Sequence, residues 1–265
     1  MPRFAANLSM LFGEVPFLER FALAAQHGFK AVEFLFPYPY PAEQIAQELR
    51  THQLQVVLHN FPAGNWDAGE RGIACLPDRV EEFRAGVDQA ISYARALGVG
   101  QLNCLAGKTP AGADPGLVHA TLVSNLAYAA QRLAPWEIKL LIEPINTFDI
   151  PGFHLCSTRQ ALGLMTEVGA DNLFLQYDVY HMQRMEGELA GTLKTHLAKI
   201  AHVQIADNPG RNEPGTGEIH FPFLFDWLDR IGYQGWIGCE YKPAGSTPAG
   251  LGWIAQHQLP SHTRA

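Results

Sequence analysis

The chain has 265 residues, 47% of them hydrophobic, enough for a large core in a single domain spanning 1–265, and α/β barrels commonly run to about 250 residues. Its formal charge of −7, with acids dispersed along the chain, supplies no basic footprint for nucleic acid or for an anionic membrane. The opening segment MPRFAANLSMLF lacks the long apolar core of a signal peptide. No apolar stretch approaches the roughly 18 residues of a membrane span. A cytoplasmic protein acting on small molecules is the expectation.

Along the chain one unit recurs: an amphipathic helix, a Gly or Pro stop, then a short apolar strand. It reads as FALAAQHGFKAVEFLF, ISYARALGVGQLNCL, AYAAQRLAPWEIKLLIEP, ALGLMTEVGADNLFLQYD and FDWLDRIGYQGWIGCEY, with Gly28, Gly98, Gly169 and Gly232 placed to end helices in the left-handed conformation. Strands are predicted at Phe4 to Leu8, Ala31 to Leu35, Val56 to His59, Gln101 to Leu105, Lys139 to Glu143, Leu173 to Asp178, Ala201 to Ile205 and Trp236 to Glu240. Eight strands alternating with helices are the count of a (β/α)8 TIM barrel. A doubly wound open sheet is the structural alternative, but neither GxGxxG nor a P-loop occurs. Cys75, Cys104, Cys156 and Cys239 lack CxxC spacing and are expected as free thiols.

In a barrel the C-terminal strand ends face the active-site loops. That puts Asn7, Glu33, His59, Asn103, Glu143, Asp178, Gln204 and Glu240 around one rim. Four apolar runs end in metal-capable side chains: LLIEP at Glu143, FLQYD at Asp178, AHVQI at Gln204 and WIGCE at Glu240. A carboxylate at the end of a buried strand is costly unless a cation or proton compensates it. Three carboxylates and an amide oxygen form an all-oxygen shell suited to Mg2+ or Mn2+ rather than Zn2+.

The segments RFAANLSMLF, HNFPAGNWDAGERGIACLP, NCLAGKTPAG, LIEPINTFDIPGFHL, QYDVYHMQRMEGEL, ADNPGRNEPGTGEI and GCEYKP resemble the hydroxypyruvate isomerase family of xylose-isomerase-like TIM barrels, over nearly the whole chain. The resemblance implies a divalent metal on Glu143, Asp178, Gln204 and Glu240, with Glu143 and Glu240 also matching the acid/base pair. Related sugar isomerases and epimerases often have His where this chain has Gln204. The implied reaction interconverts hydroxypyruvate and 2-hydroxy-3-oxopropanoate (tartronate semialdehyde). Moving a carbonyl between adjacent carbons requires removing a proton α to it, passing through an enediolate, and returning a proton to the neighbouring carbon. A metal chelating both oxygens would stabilise the cis-enediolate. A 2-oxo-tetronate isomerase or a ketose 3-epimerase would use the same site. A phosphodiesterase resembling endonuclease IV would need a histidine-rich zinc cluster and a basic surface. A non-catalytic sugar-acid binding protein would tolerate loss of one glutamate. Homo-oligomerisation is a further expectation from the resemblance.

A carboxylate-bearing hydroxy or oxo acid also calls for basic groups. Lys108, Arg71 and Arg211 lie in loops on the active-site side, and Arg211 resembles a substrate-contacting Arg of related sugar-converting enzymes. The alternative for Lys108 and Arg71 is a solvated loop charge. His181, three residues after Asp178, resembles the family's D-x-x-H element that contacts substrate, while His59 closes the third strand and could hydrogen-bond substrate. His202, two residues before Gln204, is expected one layer deeper and away from the ligand side. The FLFPYPYP segment reads as a stiff aromatic roof, PGTGEI as a shaped turn orienting Arg211, and the chain after Gly252 as loosely structured.

Overall fold

The computed structural model describes residues 2–257. Eight strands, β1 (Arg3–Asn7), β2 (Ala31–Phe34), β3 (Gln55–Asn60), β4 (Gln101–Cys104), β5 (Lys139–Ile142), β6 (Leu173–Asp178), β7 (Ile200–Ile205) and β8 (Trp236–Cys239), form a closed barrel in chain order. The ladders β1–β2, β3–β4, β4–β5, β5–β6, β7–β8 and β8–β1 are parallel. The helices are α1 (Arg20–Gln26), α2 (Ala42–His52), α3 (Val80–Leu97), α4 (Pro115–Leu133), α5 (Thr158–Val168), α6 (Val179–Met185), α7 (Leu189–His196), α8 (Phe221–Ile231), α9 (Thr247–Gly250) and α10 (Gly252–His257). None of the described helices is long and apolar enough to cross a membrane.

Local chemistry sets the boundaries. Gly98, Gly169 and Gly232 adopt left-handed conformations that stop α3, α5 and α8. At the other ends, Asp114 and Ser157 accept backbone N–H bonds as N-caps of α4 and α5. The two apolar glutamate-bearing runs leave the ladder one residue early, so Glu143 and Glu240 stand just past the last paired residues of β5 and β8.

Packing is densest within two halves, one built on β1, β2, β7 and β8, the other on β4 and β5; the division passes through β3 after Val57 and through β6 after Gln176. In the first half, Phe4 of β1 meets Phe225 of α8 and Trp253 of α10 edge-on, with centroids 5.1 and 4.9 Å apart. The chain after Gly252 is therefore not loose: α10 buries Trp253, Ile254 and His257, because an aromatic cluster needs its third wall. Residues 258–265, the rest of that expected loose tail, lie outside the described residues. In the second half, α3 buries Phe83, Val87, Ala90, Ile91, Ala94 and Leu97 on one helical face. The FLFPYPYP segment is fastened there too: Tyr38 donates to the Asn60 carbonyl and packs edge-on against Tyr93 and His59.

Candidate active site

In the first half, Glu33 is fully buried near the end of β2. Its Oε1 accepts from Gln204 Nε2 at 2.8 Å and from Asn7 Nδ2 at 3.0 Å, and its Oε2 lies 2.6 Å from His202 Nε2. His202 thus sits deeper in β7 than Gln204, as its position predicts, yet reaches the same carboxylate and is tied to the rim through it. The hydrogen bond to Glu33 also fixes which branch of the Gln204 amide is nitrogen.

Asp178 ends β6 and caps α6: its Oδ1 accepts from the backbone N–H of Tyr180 and His181 at 2.8 and 3.2 Å. The D-x-x-H spacing is helical from the cap onward, which brings His181 Nε2 to 3.6 Å from Asp178 Oδ2. Glu240 accepts from Arg211 Nη2 at 2.8 Å, and the Arg211 guanidinium lies 5.2 Å from the centre of the Tyr180 ring. Burial pushes the Glu240 carboxyl up to about 8, opposed by Arg211 and reinforced by the neighbouring Asp178 and Glu33. Arg211 itself rides on a loop gathered by Asp207. That buried carboxylate accepts the backbone N–H of Asn208, Gly215, Gly217 and Ile219, so PGTGEI is the shaped turn its glycines imply.

In the second half, Asn103 at the end of β4 donates to Glu143 Oε2 at 2.8 Å, both residues being buried. His59 on β3 is fully buried, with Nδ1 3.1 Å from the Asn60 carbonyl. Lys108 donates from Nζ to the Gly69 carbonyl at 3.0 Å, tying the loop after β4 to the loop after β3. Arg71 in that loop donates to the carbonyls of Trp66 and Glu70 and stacks 4.0 Å above the Trp66 ring. Both cations carry loop structure and neither is simply a solvated charge.

Ligand-capable atoms of Asp178, His181 and Glu240, all in the first half, lie within 4.8 Å of one another. The group holds Asp178 and Glu240 of the residues expected to bind metal and adds His181, so its donors are carboxylates with an imidazole nitrogen. It suits a divalent cation on two counts. Asp178 Oδ2 is buried with no hydrogen-bond partner among the described residues, a costly state for a carboxylate oxygen. Burial raises the Glu240 carboxyl above its ordinary value, a cost to the charged form that a nearby positive ion would relieve. Two features are harder to see in sequence: the gathering role of Asp207 and the three bonds to Glu33. The available signal for the latter is a glutamate inside AVEF, a run buried at all four positions.

The xylose isomerase-like TIM barrel family model matches residues 21–257. The chain belongs to this family. Within it, a hydroxypyruvate isomerase from Escherichia coli (strain K12) is 61% identical over 96% of this chain and 98% of its own length. A 2-oxo-tetronate isomerase from Cupriavidus necator is 48% identical, again over 96% and 98%. A crystal structure described as AP endonuclease, family 2 from Brucella melitensis aligns with a TM-score of 0.94 at 48% identity, covering 97% of this chain and 99% of that one. Of the rim residues, all but Asn7 fall within the span matched to the xylose isomerase-like family.

Proposed function

We propose that the chain is a hydroxypyruvate isomerase, interconverting hydroxypyruvate and 2-hydroxy-3-oxopropanoate. The observation that carries this reading is the buried group of Asp178, His181 and Glu240, whose ligand-capable atoms lie within 4.8 Å of one another, in a chain 61% identical to an enzyme of that name; Glu143 and Glu240 are its acid/base pair. The reaction moves one hydrogen from C3 to C2 and one from the C3 hydroxyl to the C2 oxygen. One of the two glutamates takes the C3 proton and the other delivers a proton to C2 of the enediolate. Asn103 holds the Glu143 carboxylate and Arg211 holds that of Glu240, so both proton carriers are oriented before substrate arrives.

Arg211 is the group assigned to the substrate carboxylate, with Lys108 and Arg71 shaping the same mouth, and His59 and His181 facing substrate oxygens. Glu143, Asp178, Gln204 and Glu240 would hold Mg2+ or Mn2+, with His181 adjoining, and the bound ion supplies positive charge against the charge developing on the substrate oxygens. A carboxylate-dominated donor set favours this chemistry over a histidine-rich zinc phosphodiesterase. The chain is a single barrel domain, able to form a homo-oligomer, that acts on a small hydroxy or oxo acid rather than on nucleic acid or a membrane. Its four free thiols fit the cytoplasm.

The test is to incubate purified protein with hydroxypyruvate and follow the product by NMR. Glu143→Gln is expected to lower turnover about 10²- to 10⁴-fold with the circular dichroism spectrum unchanged, and retained turnover would reject the acid/base role. The second reading is a 2-oxo-tetronate isomerase, favoured by the 48% identical relative. Brisk turnover of 2-oxo-tetronate without turnover of hydroxypyruvate selects it.

A further inference from the structure

We infer that Glu33 is a positioning residue, setting the Gln204 amide so that its oxygen rather than its nitrogen is presented for a divalent ion; this rests on the reading of Gln204 as a ligand. An amide has two branches of nearly equal shape, and only a hydrogen-bond partner decides which one faces a site. Here Glu33 Oε1 receives the Gln204 Nε2–H at 2.8 Å. A carboxylate can only accept, so the nitrogen branch is committed to Glu33 and the carbonyl takes the other direction. Metal-bound imidazoles are oriented in the same way by a carboxylate on their second nitrogen, and removal of that partner weakens metal binding.

Glu33 is itself held from both sides. Asn7, its register partner on β1, donates to the same Oε1 at 3.0 Å. The Asn7 amide is oriented in turn, since its Oδ1 accepts from the Ser9 backbone N–H at 3.1 Å. His202 Nε2 lies 2.6 Å from Oε2, and His202 Nδ1 has no partner among the described residues; the ring therefore carries its hydrogen on Nε2 and donates to Glu33. The backbone makes room as well. Gly238, paired with Gln204 in the β7–β8 ladder, has ordinary strand geometry, and a Cβ there would collide with both Glu33 oxygens. Glycine is required at that point for the space the carboxylate occupies, not for its backbone freedom.

The experiment is a double-mutant cycle of Mn2+ affinity, read by electron paramagnetic resonance and calorimetry on the whole protein, using Glu33→Gln, Gln204→Ala and the pair together. Glu33→Gln is expected to weaken Mn2+ about 10- to 100-fold, Gln204→Ala by a similar factor, and the double variant no more than Gln204→Ala alone. If Glu33→Gln leaves Mn2+ affinity unchanged, or costs the same factor with Gln204 already removed, Glu33 does not act through Gln204 and the inference falls while the ligand set stands. If Gln204→Ala leaves Mn2+ binding intact, the ligand set and the inference fall together. Should Glu33→Gln not fold, Gly238→Ala takes its place in the cycle with the same expectations, because it crowds the carboxylate without removing it.

Discussion

His59 is a buried imidazole whose environment opposes charge: burial pushes it from its ordinary value down to about 4, with the bond to the Asn60 carbonyl acting weakly the other way. Between pH 6.5 and 4 the unfolded chain binds a proton there that the folded chain does not, so stability falls as pH drops through that window. From pH 7.5 to pH 5 the loss is expected to be about 2 kcal/mol. Urea unfolding at the two pH values checks it, and His59→Gln should flatten the difference by that amount. Residues differ in how openly the sequence announces them. Glu143, Asp178 and Glu240 are legible because a carboxylate ending an apolar strand has few cheap explanations. The partners of Glu33 are not, since His202 and Gln204 stand 169 and 171 positions away and meet it only through barrel closure. Arg71 is legible as a loop cation but not as one stacked on Trp66, a choice made by the fold of the loop itself.

Strands and helices are the most readable level, because apolar runs, glycine stops and caps act locally. The predicted and observed strands differ by a residue at most ends, and Leu173–Asp178 coincides at both. Loops are less readable, since their shape depends on which carboxylate collects their N–H groups. The loop after β7 is the instructive one. Arg211 sits there with φ 56°, its own N–H bonded to the Asp207 carbonyl, while the Asp207 side chain holds the return of the chain from Gly215 to Ile219. Asp207→Ala should leave those N–H groups unpaired and cost about 1–3 kcal/mol in stability. Releasing Arg211 from its place beside Glu240 should lower kcat/KM about 10²-fold, measured beside a melting curve. A variant that loses stability while keeping its kinetics would show that the loop does not set the arginine. The short helix α10 escapes a reading from polarity alone, because Trp253 is held by the distant Phe4 and Phe225.

At the scale of the whole molecule, strand count and the absence of nucleotide-binding loops suffice to choose a closed barrel over an open sheet. What they leave out is order in time. Strand β1 pairs with β8, Arg3 lying opposite Trp236, so the last strand must be made before the first has its second neighbour. Gln204 pairs with Gly238 of β8 and Glu240 stands just past the end of that strand, so both reach their final positions only once the last strand is in place, and the loop closure that its pairing with β1 requires must be paid before that contact rewards it. A cation held by them therefore has nothing to bind until the chain has passed its main barrier. Saturating Mn2+ is expected to leave the refolding rate unchanged and to slow unfolding, by about 100-fold when the ion is present at 100 times its Kd. Stopped-flow refolding and unfolding with and without the ion would measure this, and faster refolding in Mn2+ would mean that the ligands gather before the barrel shuts. The metal would then be a lock on the finished barrel, governing how long the native chain lasts rather than how fast it is reached.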